Sequence, residues 1–584
     1  MREGNYWTEV FRRRMTRRRA LLAAGSGAAG AGAIGLVGCG DDDDDDDDEE
    51  AGTAPTGGTA AAGDIRRGGT YVASVPIDPP TLDPYKNLSY LTQTVAGYAY
   101  SRLLKFQTGP DVLPSDYLPE PDLAEALPES PDAITWTFKI RPEAVYAPGD
   151  PLQGRAVTAE DVRYSYERFI NTPENERKND VIPVIDRVEV IDDKTVQFTL
   201  KQAYADFITL MASSSHLWIV PPEVVESGLV ESKPIGSGPF MLESYERSRQ
   251  MTFAKNPGYW VMGDDGQPLP YIDRNQYLVI ADAQTTVAQF TSGQLHGLTI
   301  TEEQRGQIES DVSGVLIYDF LANLLNQFWF DPRTYSEDLP PFNDERVRQA
   351  ISMSVDRAGL IRLIFNGQGE WHNQGVPAGL SYWWLDPQGE NIGEGGQYYQ
   401  YNPEEARKLL EAAGVPDLKV RVHYTEDGYR SIAGGFYNRI ADSLPGMFRE
   451  SGIEVELVPE SYSAVYVPQT LAGNFDSMAW SLSTPFNFIH LYLVNYYTGT
   501  AGRDRGVRDQ EILDLIDRQI QTVDQEERRE LIYEIQRIAS VKQYFPGGVL
   551  GPSFQAVQPQ IKNYFVTGSY GTGTETIAKL WIDA

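Results

Sequence analysis

The residues able to make or break bonds, or to hold a metal, are thinly spread in this chain of 584 residues. Five histidines stand at positions 216, 296, 372, 423 and 490, and none belongs to a His-Glu-x-x-His pair that would set two imidazoles on one helical face for zinc. The Gly-x-Ser-x-Gly pattern of a nucleophile elbow is absent after residue 38. Carboxylates abound, but a chain with 83 Asp and Glu supplies glycosidase-like pairs through composition alone. No catalytic residue, metal ligand or cofactor is assigned, and a secreted glycoside or ester hydrolase stays only as an alternative. The single cysteine, Cys39, excludes an intramolecular disulfide framework and any cysteine-rich metal site.

The elements around these residues are more telling. Residues 234–260 read PIGSGPFMLESYERSRQMTFAKNPGYW. Gly236 and Gly238 admit backbone angles closed to residues with a Cβ, and Pro239 fixes the entry into an extended run, which makes Gly-Ser-Gly-Pro a shaped turn. A phosphate cradle is excluded, because neither a P-loop lysine nor a helix start follows. Phe240 to Tyr245 and Met251 to Lys255 form a β-hairpin around polar residues 246–249, Asn256-Pro257-Gly258 stops it, and Tyr259 and Trp260 cap it.

Elsewhere Gly69 to Val75 reads as a strand, and Ile134, Trp136, Phe138 and Ile140 alternate as a strand with one buried face. Thr158 with Asp161 forms a capping box for a helix whose stripe is Val162, Tyr166, Phe169 and Ile170. A hairpin is expected with Val188 and Val190 on one strand and Val196, Phe198 and Leu200 on the other. Asn343, Asp356 and Asn402 are helix N-caps, while Gly367 and Gly414 are helix ends. Ile512, Leu515, Ile516 and Ile520 form one late helical stripe, and Leu531, Ile532, Ile535 and Ile538 another. Strands and helices mix without a fixed repeat, so the class is α/β, and the length predicts several units.

The 234–260 segment resembles a stretch of the family 5 extracellular solute-binding proteins, the peptide-binding receptors of ABC importers. Five further segments resemble that family in its order: GGTYVASVPIDPPTLDPYKN at 68–87, TAEDVRYSYERF at 158–169, PYIDR at 270–274, FNDERVRQAISMSVDR at 342–357 and NPEEARKLLEAAG at 402–414. The resemblance implies a periplasmic-binding-protein-like fold of the class II type, two lobes around a hinged cleft plus a small inserted domain. Lobe I would comprise 68–95, 226–325 and 545–584, the inserted domain 96–225, and lobe II 326–544. It further implies a monomer that captures a small solute, an oligopeptide or an oligosaccharide, delivers it to ABC permease subunits, and is not an enzyme. A receptor feeding a chemoreceptor or sensor kinase uses the same fold and is the alternative.

Peptide receptors of this type carry Trp-x-x-Asp, whose aspartate pairs with the ligand's amino terminus. Here Trp480 matches the tryptophan and Ser483 stands at the aspartate position, so the charge-assisted contact with an amine is missing from that place. The expected ligand-binding residues are Trp480, Ser481, Ser483, Tyr85 in the segment that enters the cleft, and Trp371 with His372 and Asn373. Aromatic faces at these places suit sugar rings and apolar side chains, and serve equally as core.

The first 38 residues place Arg17-Arg18-Arg19 ahead of a weakly apolar Ala/Gly stretch, similar to a twin-arginine (Tat) signal peptide rather than a transmembrane helix. Leu36-Val37-Gly38-Cys39 resembles the lipobox of bacterial lipoproteins, which makes Cys39 a lipidation site, where a lone cysteine otherwise packs in a core. Two acyl chains anchor stably because each buried methylene contributes roughly 0.8 kcal/mol. Residues 41–50 are ten consecutive carboxylates and cannot bury apolar area, so 39–67 reads as a disordered tether, with calcium binding as the alternative. Together these place the protein outside the cytoplasm, lipid-anchored to the outer face of the cytoplasmic membrane. A net charge of −33 argues against nucleic acid or anionic headgroups as partners.

Overall fold

Gly-Ser-Gly-Pro at 236–239 works by close approach. Neither Gly236 nor Gly238 takes a positive φ. A Cβ at Gly236 would stand 2.3 Å from the Ala99 carbonyl oxygen, and one at Gly238 would stand 2.4 Å from that of Tyr98. The turn therefore presses its bare backbone on the end of helix Tyr90–Ala99, where the Gly238 N–H donates to Ala99 O at 2.9 Å, and this corrects the expectation of special backbone angles. Asn256 locks the far end, its N–H donating to Pro239 O at 2.8 Å and its side-chain amide to Gly238 O at 2.9 Å.

The computed structural model describes residues 65–583 except 88, 428–434, 483–485, 499–504 and 570–571. The signal segment, Cys39, most of the tether and Ser483 lie outside the described residues. Among the described residues no helix is long and apolar enough to cross a membrane.

Three sheets and their cores organise the chain. Strands Phe240–Glu246 and Gln250–Lys255 form the expected hairpin, and with Arg274–Val279 and Thr70–Val75 they make a four-stranded sheet in which only the Thr70–Val75 pairing is parallel. Its apolar face packs on helix Tyr90–Ala99 through Tyr71, Val95, Phe240 and Phe253. A second four-stranded sheet orders Asn326–Phe330, Met478–Leu482, Lys419–Thr425 and Glu454–Glu460, the last three parallel to one another. Helices Glu345–Met353, Arg357–Phe365, Pro403–Ala412 and Phe436–Glu450 cover it in a separate core that includes Phe328, Val347, Leu410 and Tyr437.

The third sheet, Thr135–Lys139, Thr195–Leu200 and Ile185–Asp192, belongs to the middle of the chain. Trp136, Phe138, Val196 and Phe198 are buried as their alternation predicts. Val188 and Val190 are not: on Ile185–Asp192, one of the two outer strands of this sheet, Val188 is half-buried and Val190 is exposed.

Most caps sit where their residue types demand. Thr158 closes a full capping box, and Asp356 and Asn402 accept from the third residue of their helices. The cap expected at Asn343 moves by one residue. Asp344 accepts from Arg346 N–H at 2.9 Å, placing a charge at the positive helix end, while Asn343 turns back to Asp338. Helix Arg357–Phe365 ends through Asn366 at φ 52°, with Gly367 following it, also left-handed.

Candidate ligand-binding cavity

Between the two large cores lies a cavity of about 1410 Å³. Tyr71, Ala73, Val75, Leu91 and Tyr98 from the first core form one wall. Leu324, Trp329, Leu482, Phe486 and Tyr496 form the facing wall. Within the strands, period-two alternation separates core face from cavity face, and Leu482, at a strand end, belongs to the second core and also touches the cavity. In Asn326–Phe330, Phe328 and Phe330 point into the second core and Trp329 points the other way, onto the cavity.

The same rule relocates Trp480. It pairs directly with Phe328 across the strands, so its indole enters the second core, fully buried, 4.9 Å from the Phe328 ring and stacked on Tyr437 at 6.2 Å. Its Nε1–H donates to Tyr437 O at 3.3 Å. Ser481 faces the opposite side, opposite Gln327, but is buried outside the cavity lining.

Tyr85, Trp371, His372 and Asn373 also lie outside the lining. The Tyr85 hydroxyl donates to Trp218 O, and the Arg168 guanidinium sits 5.0 Å over its ring. Trp371 is buried and its carbonyl accepts from Trp384 Nε1–H at 3.1 Å. The Asn373 amide donates to Leu385 O at 2.7 Å and accepts the Tyr399 hydroxyl at 2.6 Å. Tyr85, Trp371 and Asn373 thus have internal partners, whereas both ring nitrogens of His372 are buried without one among the described residues.

The polar groups that do reach the cavity were not singled out by any motif. Tyr98 and Tyr277 share a hydroxyl–hydroxyl hydrogen bond of 2.5 Å, and burial raises both phenols, so they stay neutral. The Arg505 guanidinium lies 3.6 Å from the centre of the Trp329 ring and donates to Leu471 O at 3.2 Å. Arg177 packs over Phe486 at 4.9 Å and pairs with Asp180 at 3.3 Å. Burial pushes the Asp180 carboxyl up, and His216 and Arg177 outweigh it, so it remains below the usual range. The cavity thus offers aromatic faces, neutral hydroxyls, the Arg505 guanidinium, and the Arg177–Asp180 pair with Glu176 beside it.

The histidines are scattered through the structure, and among the described residues no cluster of three His, Cys, Asp or Glu is placed to hold a metal. Burial lowers His372 to about 3, with Arg357 adding to it, and lowers His490 to about 4. Both are neutral in the fold yet take a proton when unfolded below about 6.5, so the unfolded chain binds more protons in that window. Stability should therefore be full above pH 6.5 and fall as pH drops toward 4, by up to about 1.4 kcal/mol per pH unit for each histidine. Urea unfolding at pH 7 and pH 5 checks this, and His490→Gln should flatten the dependence.

The family model for "Bacterial extracellular solute-binding proteins, family 5 Middle" matches residues 119–504, most of the chain. The chain belongs to this family. Among curated relatives, the glutathione-binding protein GsiB of Salmonella typhi is 26% identical over 339 residues, which cover 58% of this chain and 60% of that protein. The "Probable D,D-dipeptide-binding periplasmic protein DdpA" of Escherichia coli K12 is 25% identical over 481 residues, covering 79% of this chain and 84% of that protein. Solved family 5 structures share the fold. The periplasmic binding protein DppA of Helicobacter pylori, in complex with the peptide STSA, superposes with a TM-score of 0.70 at 19% identity, covering 89% of this chain and 99% of that one. AgaA of A. tumefaciens R10, in complex with agropinic acid, gives 0.70 at 23% identity, covering 88% and 99%. The fold is thus the two-lobed α/β architecture of the periplasmic binding proteins expected from the segment resemblances.

Proposed function

We propose that this family 5 protein is the substrate-binding component of an ABC importer, closing over a small carboxylate-bearing solute of peptide size and passing it unchanged to a membrane permease. The observation that carries this reading is the cavity of about 1410 Å³, lined by side chains from two separate cores, with Arg505 on its wall. Relatives named for glutathione and D,D-dipeptide, and structures holding a peptide or agropinic acid, support a ligand of that class. Tyr98, Tyr277, Trp329 and Arg505 are the proposed ligand contacts, replacing those expected from the sequence. The lobes follow the boundaries given above, with 96–225 as the inserted domain. Cys39 carries the lipid anchor, and residues 39–67 tether the monomer at the outer face of the cytoplasmic membrane.

Isothermal titration against oligopeptides, glutathione, sugar–amino acid conjugates and neutral oligosaccharides tests the reading. Micromolar binding, about −8 kcal/mol, is expected for a member of the carboxylate-bearing set. Loss of a buried charge contact should make Arg505→Gln bind that solute at least about tenfold more weakly. Absence of saturable binding across the whole panel overturns the proposal.

A further inference from the structure

Outside the cavity lining, a buried ion pair joins Asp206 to the C-terminal helices. Arg528 Nη1 and Nη2 donate to the two Asp206 carboxylate oxygens at 2.6 and 2.8 Å, and the side chains are only 1% and 6% exposed. Arg528 Nε donates to Gln519 at 3.0 Å, and the guanidinium lies 4.9 Å from the Trp383 ring. Beside it the Ala205 N–H donates to Ile520 O at 2.7 Å, and Tyr204 meets His490 edge-on at 5.4 Å. Asp206 and Arg528 are 322 residues apart, so nothing in the local chain requires them to meet.

What each partner is fixed to gives the pair its role. Phe207, next to Asp206, packs on Trp136 and Phe198 of the middle sheet. That module is bound to the first core, because Arg168 pairs with Asp83 and Arg102 pairs with Glu575. Arg528 instead belongs to helix Gln525–Lys542, which packs on helices Gln510–Gln521 and Glu345–Met353 of the second half. The pair therefore spans the seam that must part if the cavity opens.

We infer that Asp206 and Arg528 form a latch that sets the balance between closed and open protein, and so the apparent affinity for solute, without touching the solute. This rests on the two-lobed clamp reading above. Its chemistry suits a reversible seam. Two buried charges attract strongly only when paired, and both regain water when the seam parts, so opening stays accessible; an apolar seam of the same shape would have no such compensation. Because ligand affinity scales with the fraction of protein in the competent state, shifting that balance changes binding from a distance.

The test measures the spacing of two spin labels in the ligand-free full chain carrying Cys39→Ser, with labels at Arg187→Cys and Leu363→Cys, both exposed and on opposite sides of the seam. Asp206→Asn and Arg528→Gln each leave a buried group unpaired, and should raise the population of the longer distance by about tenfold or more. The apolar pair Asp206→Leu with Arg528→Met should return the protein to the short distance. If wild type shows both distances and the single variants leave their ratio unchanged, the latch is overturned while the clamp stands. If no variant, nor wild type, shows more than one spacing, latch and clamp fall together. Loss of the circular dichroism of a folded protein in the single variants assigns the pair to folding rather than closure, which also overturns the latch.

Discussion

Arg102→Met is expected to destabilise the protein by about 3–5 kcal/mol, because it strands a carboxylate in a dry interior. Arg102 and Glu575 pair through Nη2 and Oε1 with side-chain exposures of 0% and 1%. The guanidinium also lies 4.4 Å from the Trp218 ring, and its Nε donates to Leu104 O at 3.3 Å. Glu575 is held in turn by the Thr574 hydroxyl at 2.7 Å, and its carbonyl accepts from the Thr108 hydroxyl at 2.7 Å. Close by, Asp122 is buried and accepts from the Arg102 backbone N–H at 2.9 Å; burial raises its carboxyl, and Lys105 and Arg102 work against that rise. Removing the Arg102 charge takes the nearest cation from Glu575 and the backbone donor's own guanidinium from the surroundings of Asp122. Urea unfolding measures the loss, and Glu575→Gln added to Arg102→Met should recover most of it, since no unpaired charge then remains. An unchanged midpoint in the single variant contradicts this account.

Trp480→Ala should lose about 3–5 kcal/mol of stability, the usual range for deleting a large buried aromatic. The ring is enclosed by Phe328 and Tyr437, and a Cβ on Gly548 would approach its Cη2 at 2.5 Å, so the backbone there already stands against the indole. Trp480→Phe should keep the fold and most of the solute affinity, because the indole packs in the core and does not face the cavity. A selective loss of binding at unchanged stability would restore Trp480 to the ligand set.

The contrast between Trp480 and Trp329 shows where the sequence is legible. Helix caps and hairpins are local: Thr158 and Asp161, Asn402 and Pro403, and residues 240–255 declare themselves within a few positions, and the structure has them there or one residue away. Gly236 and Gly238 mark a special place for the wrong reason, since their purpose is set by Ala99, far off in the chain. The cavity is the least legible part. Its polar residues come from strands and loops hundreds of positions apart, and Trp329 sits between two phenylalanines in Asn326–Phe330, a strand buried throughout, where only pairing with Met478–Leu482 tells core face from cavity face. Trp480, conspicuous through its motif, falls on the core face of the same sheet. The exposed Val190 carries the same lesson for the sheet of Thr135–Lys139, Thr195–Leu200 and Ile185–Asp192, where alternation alone predicts a buried face on a strand whose outer end the structure leaves open.

The central claim is that one solute is held between two walls built by separate cores. Hydrogen–deuterium exchange on the protein with and without the solute identified by titration tests it most directly. Simultaneous protection of residues 71–98 on one wall and of 324–329 and 486–496 on the other is the predicted result. Protection confined to a single wall, or to surfaces away from the cavity, would contradict it.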